Sequence, residues 1–324
     1  MKELINFKYT DKETKFLQEE VISQAKIYAR MSPDHKAMLV THLQNNTKFM
    51  IAMCGDGAND CKALKTSDVG LSLSEAEASI AAPFTSKIPN ISPMIKLLRE
   101  GRTAIVTSFQ VFKFMALYSM IQFITVIILY SLGSNLGDWQ FLYIDLFIII
   151  PLSLTMSRTG SYSKLSKTLP IGELISVPNL CSVATQICIQ GAFQALIYFY
   201  LKMQSWFTPL KPQGDKNIIC YENTSLFLLS WMQYLIVVIV FSVGKPYRKS
   251  MWTNYSLMIC LAIFGTLTVL MVMIPPPFIV DTMELIEIPF QWKLVIVGVS
   301  FANLVFSYAW ERFQNCITIS VGSR

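Results

Sequence analysis

Six apolar runs, each long enough to cross a bilayer, crowd into the last two-thirds of this sequence. They lie near residues 110–132, 139–157, 177–201, 225–244, 255–275 and 290–310. A membrane helix needs about 20 mostly apolar residues, because the bilayer core has no water to satisfy an open backbone. Residues 110–324 are therefore read as an all-α six-helix transmembrane bundle. Charge is distributed to match. Of the first 103 residues 26 are Asp, Glu, Lys or Arg, against 22 of the remaining 221, so a soluble segment precedes the membrane segment.

The loops between the runs set an orientation. Loop 158–176 carries Arg158, Lys164 and Lys167, and loop 245–254 carries Lys245, Arg248 and Lys249. Loop 133–138 has only Asp138, and loop 276–289 has Asp281, Glu284 and Glu287 with no base, whereas loop 202–224 is mixed. Positive loops stay on the cytosolic side, which places both termini in the cytosol. Tyr143, Trp206, Trp231, Trp252, Trp292 and Trp310 fall near span ends and read as an aromatic belt. The sequon Asn223-Thr224-Ser225 faces outward beside a span, where glycosylation is open.

Other classes are disfavoured. The polar start Met1-Lys2-Glu3 does not read as a signal peptide. No basic run suggests a nucleic-acid surface, and the net charge of +6 is spread over both segments. The seven cysteines lack Cys-x-x-Cys spacing, so Cys181, Cys188 and Cys260 are read as small hydrophobes inside spans rather than disulfide or zinc partners.

In the soluble segment, Phe49 to Cys54 is a continuous apolar run, as in a buried parallel strand. It ends at Gly55-Asp56-Gly57-Ala58-Asn59-Asp60, followed by helix-prone Cys61 to Lys65 and a second short strand over Val69 to Leu73. Upstream, Ser32-Pro33 is a helix start that puts Lys36 in the first turn. Ligands of parallel sheets sit beyond strand carboxyl ends, where Asp56 falls. Gly55 and Gly57 let the backbone approach a phosphate, and Asp56 and Asp60 suit the hard cation Mg²⁺. Asn59 can bond a phosphoryl oxygen or hold a carboxylate, and Lys36 can neutralise a phosphoryl group as a point charge. A tight acidic turn without a metal is the plain alternative.

The string Met53-Cys54-Gly55-Asp56-Gly57-Ala58-Asn59-Asp60 with Ala63-Leu64-Lys65 resembles the hinge motif of P-type ATPases. Ala29-Arg30-Met31-Ser32-Pro33-Asp34-His35-Lys36 resembles their phosphate-binding lysine motif. Ser72-Leu73-Ser74-Glu75-Ala76-Glu77-Ala78-Ser79 and Pro83-Phe84-Thr85-Ser86-Lys87 are similar to the type-V branch, subgroup B, as is Cys61. The likeness continues through Phe112 to Ser119 and Asn135-Leu136-Gly137-Asp138. It implies a partial HAD-like α/β phosphorylation domain over residues 1–92, a stalk helix over 93–112 and the membrane domain. It also implies an ATP-driven transporter of polyamines from late endosomes or lysosomes into the cytosol. Carried over by position, Asp56 would bind Mg²⁺, Asn59 and Asp60 would complete the phosphorylation site, and Lys36 would contact the transferred phosphoryl group. Lys62 departs from the glycine usual there.

The aspartyl-phosphate motif Asp-Lys-Thr-Gly does not occur, and Asp11-Lys12-Glu13-Thr14 is a superficial echo of it. The nucleophile is the centre of that covalent mechanism. The chain is therefore read as the C-terminal part of a longer pump, with an incomplete ATP site and no turnover alone. A metal-ion pump and a short, non-catalytic regulatory isoform are the alternatives.

Asp145 is the one acid well inside a span, which makes it a candidate substrate residue. Pro151 cannot donate a hydrogen bond back to Phe147, leaving backbone open nearby. Gln122 lies ~15 Å and Asp145 ~9 Å from their outer span ends at 1.5 Å per residue, so neighbouring helices could present both to one cation. Tyr118, one turn from Gln122, adds an aromatic face. Interhelical packing is the competing reading for all three. Gln186, Gln190 and Gln194 form a stripe read as hydrogen-bonding glue. Lys113 and Arg102 read as snorkelling or stalk contacts.

Overall fold

The computed structural model describes residues 22, 24–74, 80–210 and 217–322, with side chains to residue 316. The Asp11–Thr14 echo and the Glu75–Ser79 part of the subgroup likeness lie outside the described residues. The chain divides into two compact units, Met1–Leu98 and Arg99–Arg324.

In the first unit, α1 (Pro33–Asn46) starts where the sequence places it. Ser32 is the N-cap and accepts a hydrogen bond from the His35 N–H at 3.3 Å, and Pro33 occupies the first helical position. Three parallel strands follow in the order β1 (Ala52–Gly55), β2 (Val69–Ser72) and β3 (Phe84–Thr85). Ala52 pairs with Val69 and Cys54 with Leu71. A 3₁₀ turn (Ala58–Asp60) and α2 (Cys61–Thr66) make the crossover from β1 to β2. Leu64, Ala81 and Ala82 form the small core, with Met53 and Cys61 packed on it. The apolar run at β1 is not buried throughout: Phe49 and Met50 are 78% and 77% exposed. Burial of such a run needs cover on both faces, and β1 is one of the two edge strands among the described residues.

The second unit is helical. Six helices are long and apolar enough to cross a membrane: Ser92–Tyr130, Asp138–Ser157, Val177–Lys202, Tyr221–Phe241, Tyr255–Met273 and Phe290–Cys316. All six expected spans are present. The first span is part of one unbroken helix, α3 (Ser92–Tyr130), whose 39 residues extend about 58 Å at 1.5 Å each. The second span is composite: α4 (Asp138–Leu142), a π-helical stretch (Tyr143–Ile149) and α5 (Ile150–Ser157). Pro151, which has no N–H to give, follows directly on the widened turns.

The remaining spans are α6 (Val177–Lys202), α7 (Tyr221–Phe241), α8 (Tyr255–Met273) and α10 (Phe290–Gly322), with a short α9 (Pro277–Thr282) before the last. Helix α7 is the centre: 94% of its apolar window is buried, against 17–33% for the others. It is hydrophobic all round, as a fully enclosed helix must be. Its position overturns one expectation and bears on a question the sequence leaves open. Trp231 is 1% exposed and packs on Phe227 and Tyr143, both with ring centroids at 4.7 Å, so it belongs to the core and not to a belt. Asn223 of the sequon is fully buried and donates to the Ile218 carbonyl at 2.9 Å, leaving no room for a glycan. Cys181 and Cys188, expected to be buried, are exposed.

Hydrogen bonds fix the bundle at both levels. The glutamine stripe is glue, as read. Gln190 donates to Ser307 Oγ at 3.1 Å and accepts from Asn303 at 2.8 Å, while Gln194 donates to Gln233 Oε1 at 2.9 Å and to the Ile121 carbonyl at 3.3 Å. Lys113 does not snorkel. Its Nζ turns inward and donates to Ser182 Oγ at 3.1 Å, which in turn donates to Glu311, itself 2% exposed. Arg102 reaches a loop, donating to the Ser166 carbonyl at 2.6 Å. Arg248 is 1% exposed and clasps two elements, donating to Gln110 and to the Met156 carbonyl. Burial lowers its guanidinium to about 10, so it is charged at neutral pH.

Candidate functional site

The Gly55–Asp60 turn is built by short-range constraints. β1 ends at Gly55, the Asp60 N–H bonds to the Gly57 carbonyl at 3.0 Å, and the chain re-enters helix at Cys61. This folds Asp60 back over the strand end. A Cβ on Gly55 would sit 2.6 Å from Asp60 Oδ2, so only glycine fits there, whereas the space beside Gly57 is open. Asp60 is 8% exposed, and Asp56 and Asn59 are exposed on the same turn.

Helix α1 brings Lys36 to this turn. Its Nζ meets Asp60 Oδ1 at 2.6 Å, a charge-assisted contact between side chains 24 residues apart. The pair shields a buried carboxylate that would otherwise be costly. The negative field of the turn shows in Cys54 beside it: burial pushes its thiol up, and Asp56 and Asp60 add to the shift. A cavity of about 490 Å³ opens next to Lys36, lined also by Tyr28, Arg30, Met31, Leu39, Val40 and Met53. Arg30, at φ 54°, holds a left-handed conformation there. It is legible only as part of a motif, and it lines the same cavity as Lys36. Lys62 points elsewhere, pairing on the surface with Asp34, whose carboxyl it holds below the usual range.

The donor set suits a hard divalent cation. Asp56 offers an exposed carboxylate, and Asp60 has one oxygen engaged by Lys36 and a second oxygen. Asn59 can bond a phosphoryl oxygen from the same turn.

In the membrane unit, Asp145 sits in the π-helical stretch with its side chain exposed, and Tyr118 and Gln122 are half-buried on α3. The Gln122 Nε2 is buried and has no hydrogen-bond partner. Tyr234 is fully buried on α7, and its hydroxyl has no hydrogen-bond partner among the described residues. Tyr143, two residues before Asp145, stacks on Phe147 at 5.8 Å and packs on Trp231. Tyr234 is not assignable from sequence, because nothing in a uniformly apolar helix tells which face meets a neighbouring span.

No family model matches the chain. Curated relatives do. Human polyamine-transporting ATPase 13A3 is 43% identical over 318 residues, which cover 90% of this chain and 26% of that protein. Mouse polyamine-transporting ATPase 13A2 is 43% identical over 90% of this chain and 25% of its own length. The vacuolar cation-transporting ATPase of Saccharomyces cerevisiae is 44% identical over 86% of this chain and 19% of its length. The chain is a homologue of the 13A-type P-type ATPases. It spans about a quarter of the length of the curated relatives it matches. The likeness covers both units, so the Gly55–Asp60 turn and the six-helix bundle belong to one homologous stretch.

Proposed function

We propose that this chain supplies the Gly-Asp-Gly turn and the last six membrane helices of an ATP-driven pump that moves polyamines from an endosomal or lysosomal lumen to the cytosol. The observation that carries the reading is the Lys36–Asp60 contact at the end of a parallel strand. A lysine locked by one aspartate beside a second, exposed aspartate is an arrangement for holding a phosphoryl group next to a divalent cation.

In this reading Asp56 and the second oxygen of Asp60 hold Mg²⁺, which when bound neutralises phosphoryl charge. Lys36 sits against the transferred phosphoryl group, and Asn59 donates to one of its oxygens. Gly55 and Gly57 keep the backbone close. The three-stranded sheet is then part of a HAD-like phosphorylation domain, and the aspartate that carries the phosphoryl group, the rest of the ATP site and the actuator come from sequence upstream of this chain. Alone, the chain does not turn over ATP.

Asp145, Gln122 and Tyr118 face the cationic cargo, with Asp145 as counter-charge and Gln122 Nε2 as an unspent donor. The basic loops, and with them both termini, lie in the cytosol. The test is spermine-stimulated ATP hydrolysis by the complete pump carrying this chain. Stimulation that is lost in Asp145→Asn and in Asp56→Ala is expected. Full stimulation in Asp145→Asn would remove the substrate assignment, and undiminished phosphoenzyme turnover in Asp56→Ala would remove the magnesium assignment.

A further inference from the structure

A second cavity, of about 630 Å³, opens in the membrane unit away from the basic loops. Its walls come from two elements that sequence separates widely. Trp139, Leu142, Tyr143 and Phe147 come from the second span, and Phe278, Asp281, Thr282, Met283 and Glu284 from α9 and the turn after it. The lining thus combines four aromatic rings with two carboxylates, and no Lys or Arg contributes to it.

The cavity is held open by built-in contacts. Gln140 Nε2 donates to the Met283 carbonyl at 2.7 Å, tying α4 to the turn. Its Oε1 accepts from the Gly137 N–H at 3.2 Å, so the same side chain fixes the start of the second span. Glu284 takes a left-handed φ of 51°, and its Oε2 would lie 2.9 Å from a Cβ on Gly137. The turn therefore presses its carboxylate against the one residue that has no side chain to meet it. Tyr143 is half-buried and lies two residues before Asp145 in the same π-helical stretch. Behind Tyr143 stands Trp231, 1% exposed, whose indole N–H has no acceptor.

We propose that this cavity is an outer vestibule that captures a linear aliphatic polycation before it reaches Asp145. The inference rests on the cationic cargo proposed above and adds the site that selects it. Ammonium groups pair with Asp281 and Glu284 and lie over the faces of Trp139, Phe278 and Tyr143, while the methylene segments between them rest on the same rings. A compact inorganic cation gains from the carboxylates alone. A chain with several ammonium groups gains from carboxylates and rings together, so affinity grows with the number of amines.

Spermine and putrescine titrations of ATP hydrolysis by the complete pump test this. In Asp281→Asn/Glu284→Gln the KM for spermine should rise roughly tenfold with kcat unchanged, the putrescine KM should move less, and added salt should shrink the difference. The charge-keeping Asp281→Glu/Glu284→Asp variant should restore the KM, which separates lost charge from a damaged fold. An unchanged KM, or a loss confined to kcat, overturns the vestibule. If no variant responds to polyamines, the cargo reading itself has failed. The vestibule then stands or falls on equilibrium binding of labelled spermine to the purified chain at low salt: saturable binding lost in the double variant upholds it, and binding that ignores the two carboxylates overturns it.

Discussion

Lys36 Nζ lies 2.6 Å from Asp60 Oδ1, although the two sit in different motifs, on a helix and on the turn after a strand. Asp60 is the more buried partner, with 12% of its side chain exposed against 33% for Lys36. The lysine is therefore positioned by the carboxylate, and the exposed remainder of its charge faces the neighbouring cavity.

Replacing Lys36 by Met separates function from stability here. A partly exposed pair contributes at most about 1 kcal/mol to folding. Loss of a preorganised charge at a reacting phosphoryl group costs about a hundredfold or more in rate. The expected outcome is a melting temperature within a few degrees of the parent and ATP turnover lowered about a hundredfold in the complete pump. A large fall in melting temperature with proportionate turnover would show Lys36 to be structural.

Gly55→Ala should damage the same pair from beneath. The new methyl would collide with Asp60, and overpacking of this kind costs about 1–3 kcal/mol. Gly57→Ala, with open space beside it, should cost well under half as much. Denaturant midpoints of the two variants, compared side by side, check the difference.

The Cys54 thiol reports the charge of the turn. Its pKa is raised by burial first and by Asp56 and Asp60 next. Nearby negative charge disfavours thiolate, so Asp56→Asn should lower the thiol pKa and speed alkylation at a fixed pH below it. Mg²⁺ bound at Asp56 should have the same sign of effect in the parent and none in Asp56→Asn. Iodoacetamide rates followed by mass spectrometry at pH 8 give the answer, and a parent rate indifferent to Mg²⁺ would count against the metal site.

In the membrane unit, Arg248→Leu leaves the Gln110 side chain and the Met156 carbonyl without their buried donor. Each orphaned group costs about 1–3 kcal/mol, so detergent-solubilised protein should lose several degrees of thermal stability. Arg248→Lys should recover only part of it, because an ammonium cannot reach two acceptors as a planar fork does. Equal stability of all three proteins would remove the clasp.

Much of the layout was legible without coordinates because each piece is decided locally. A span is fixed by 20 apolar residues meeting a bilayer, and all six appeared. The α1 start was readable because Ser32 and Pro33 satisfy the first turn by themselves. The strand–turn–helix around Asp56 was readable because glycine, apolar run and helix formers follow one another in order. Trp231 and Asn223 were misplaced for one shared reason. Both proved to be on a helix enclosed from every side, Trp231 at its middle and Asn223 in its first turn, and an apolar run by itself does not tell an enclosed helix from one facing lipid.

The sequence by itself determined a charged α/β segment, six membrane helices, the Gly55–Asp60 turn and the family likeness, since these rest on composition and on contacts a few residues apart. Only the tertiary structure decided that Asp60 holds Lys36, that Lys113 turns inward to Ser182, that α7 is the hub, and that Asp281 and Glu284 share a cavity with Trp139 and Tyr143. Those pairings join residues tens to more than a hundred positions apart. They depend on which helix faces meet, and a nearly uniform apolar surface does not encode that in any local pattern.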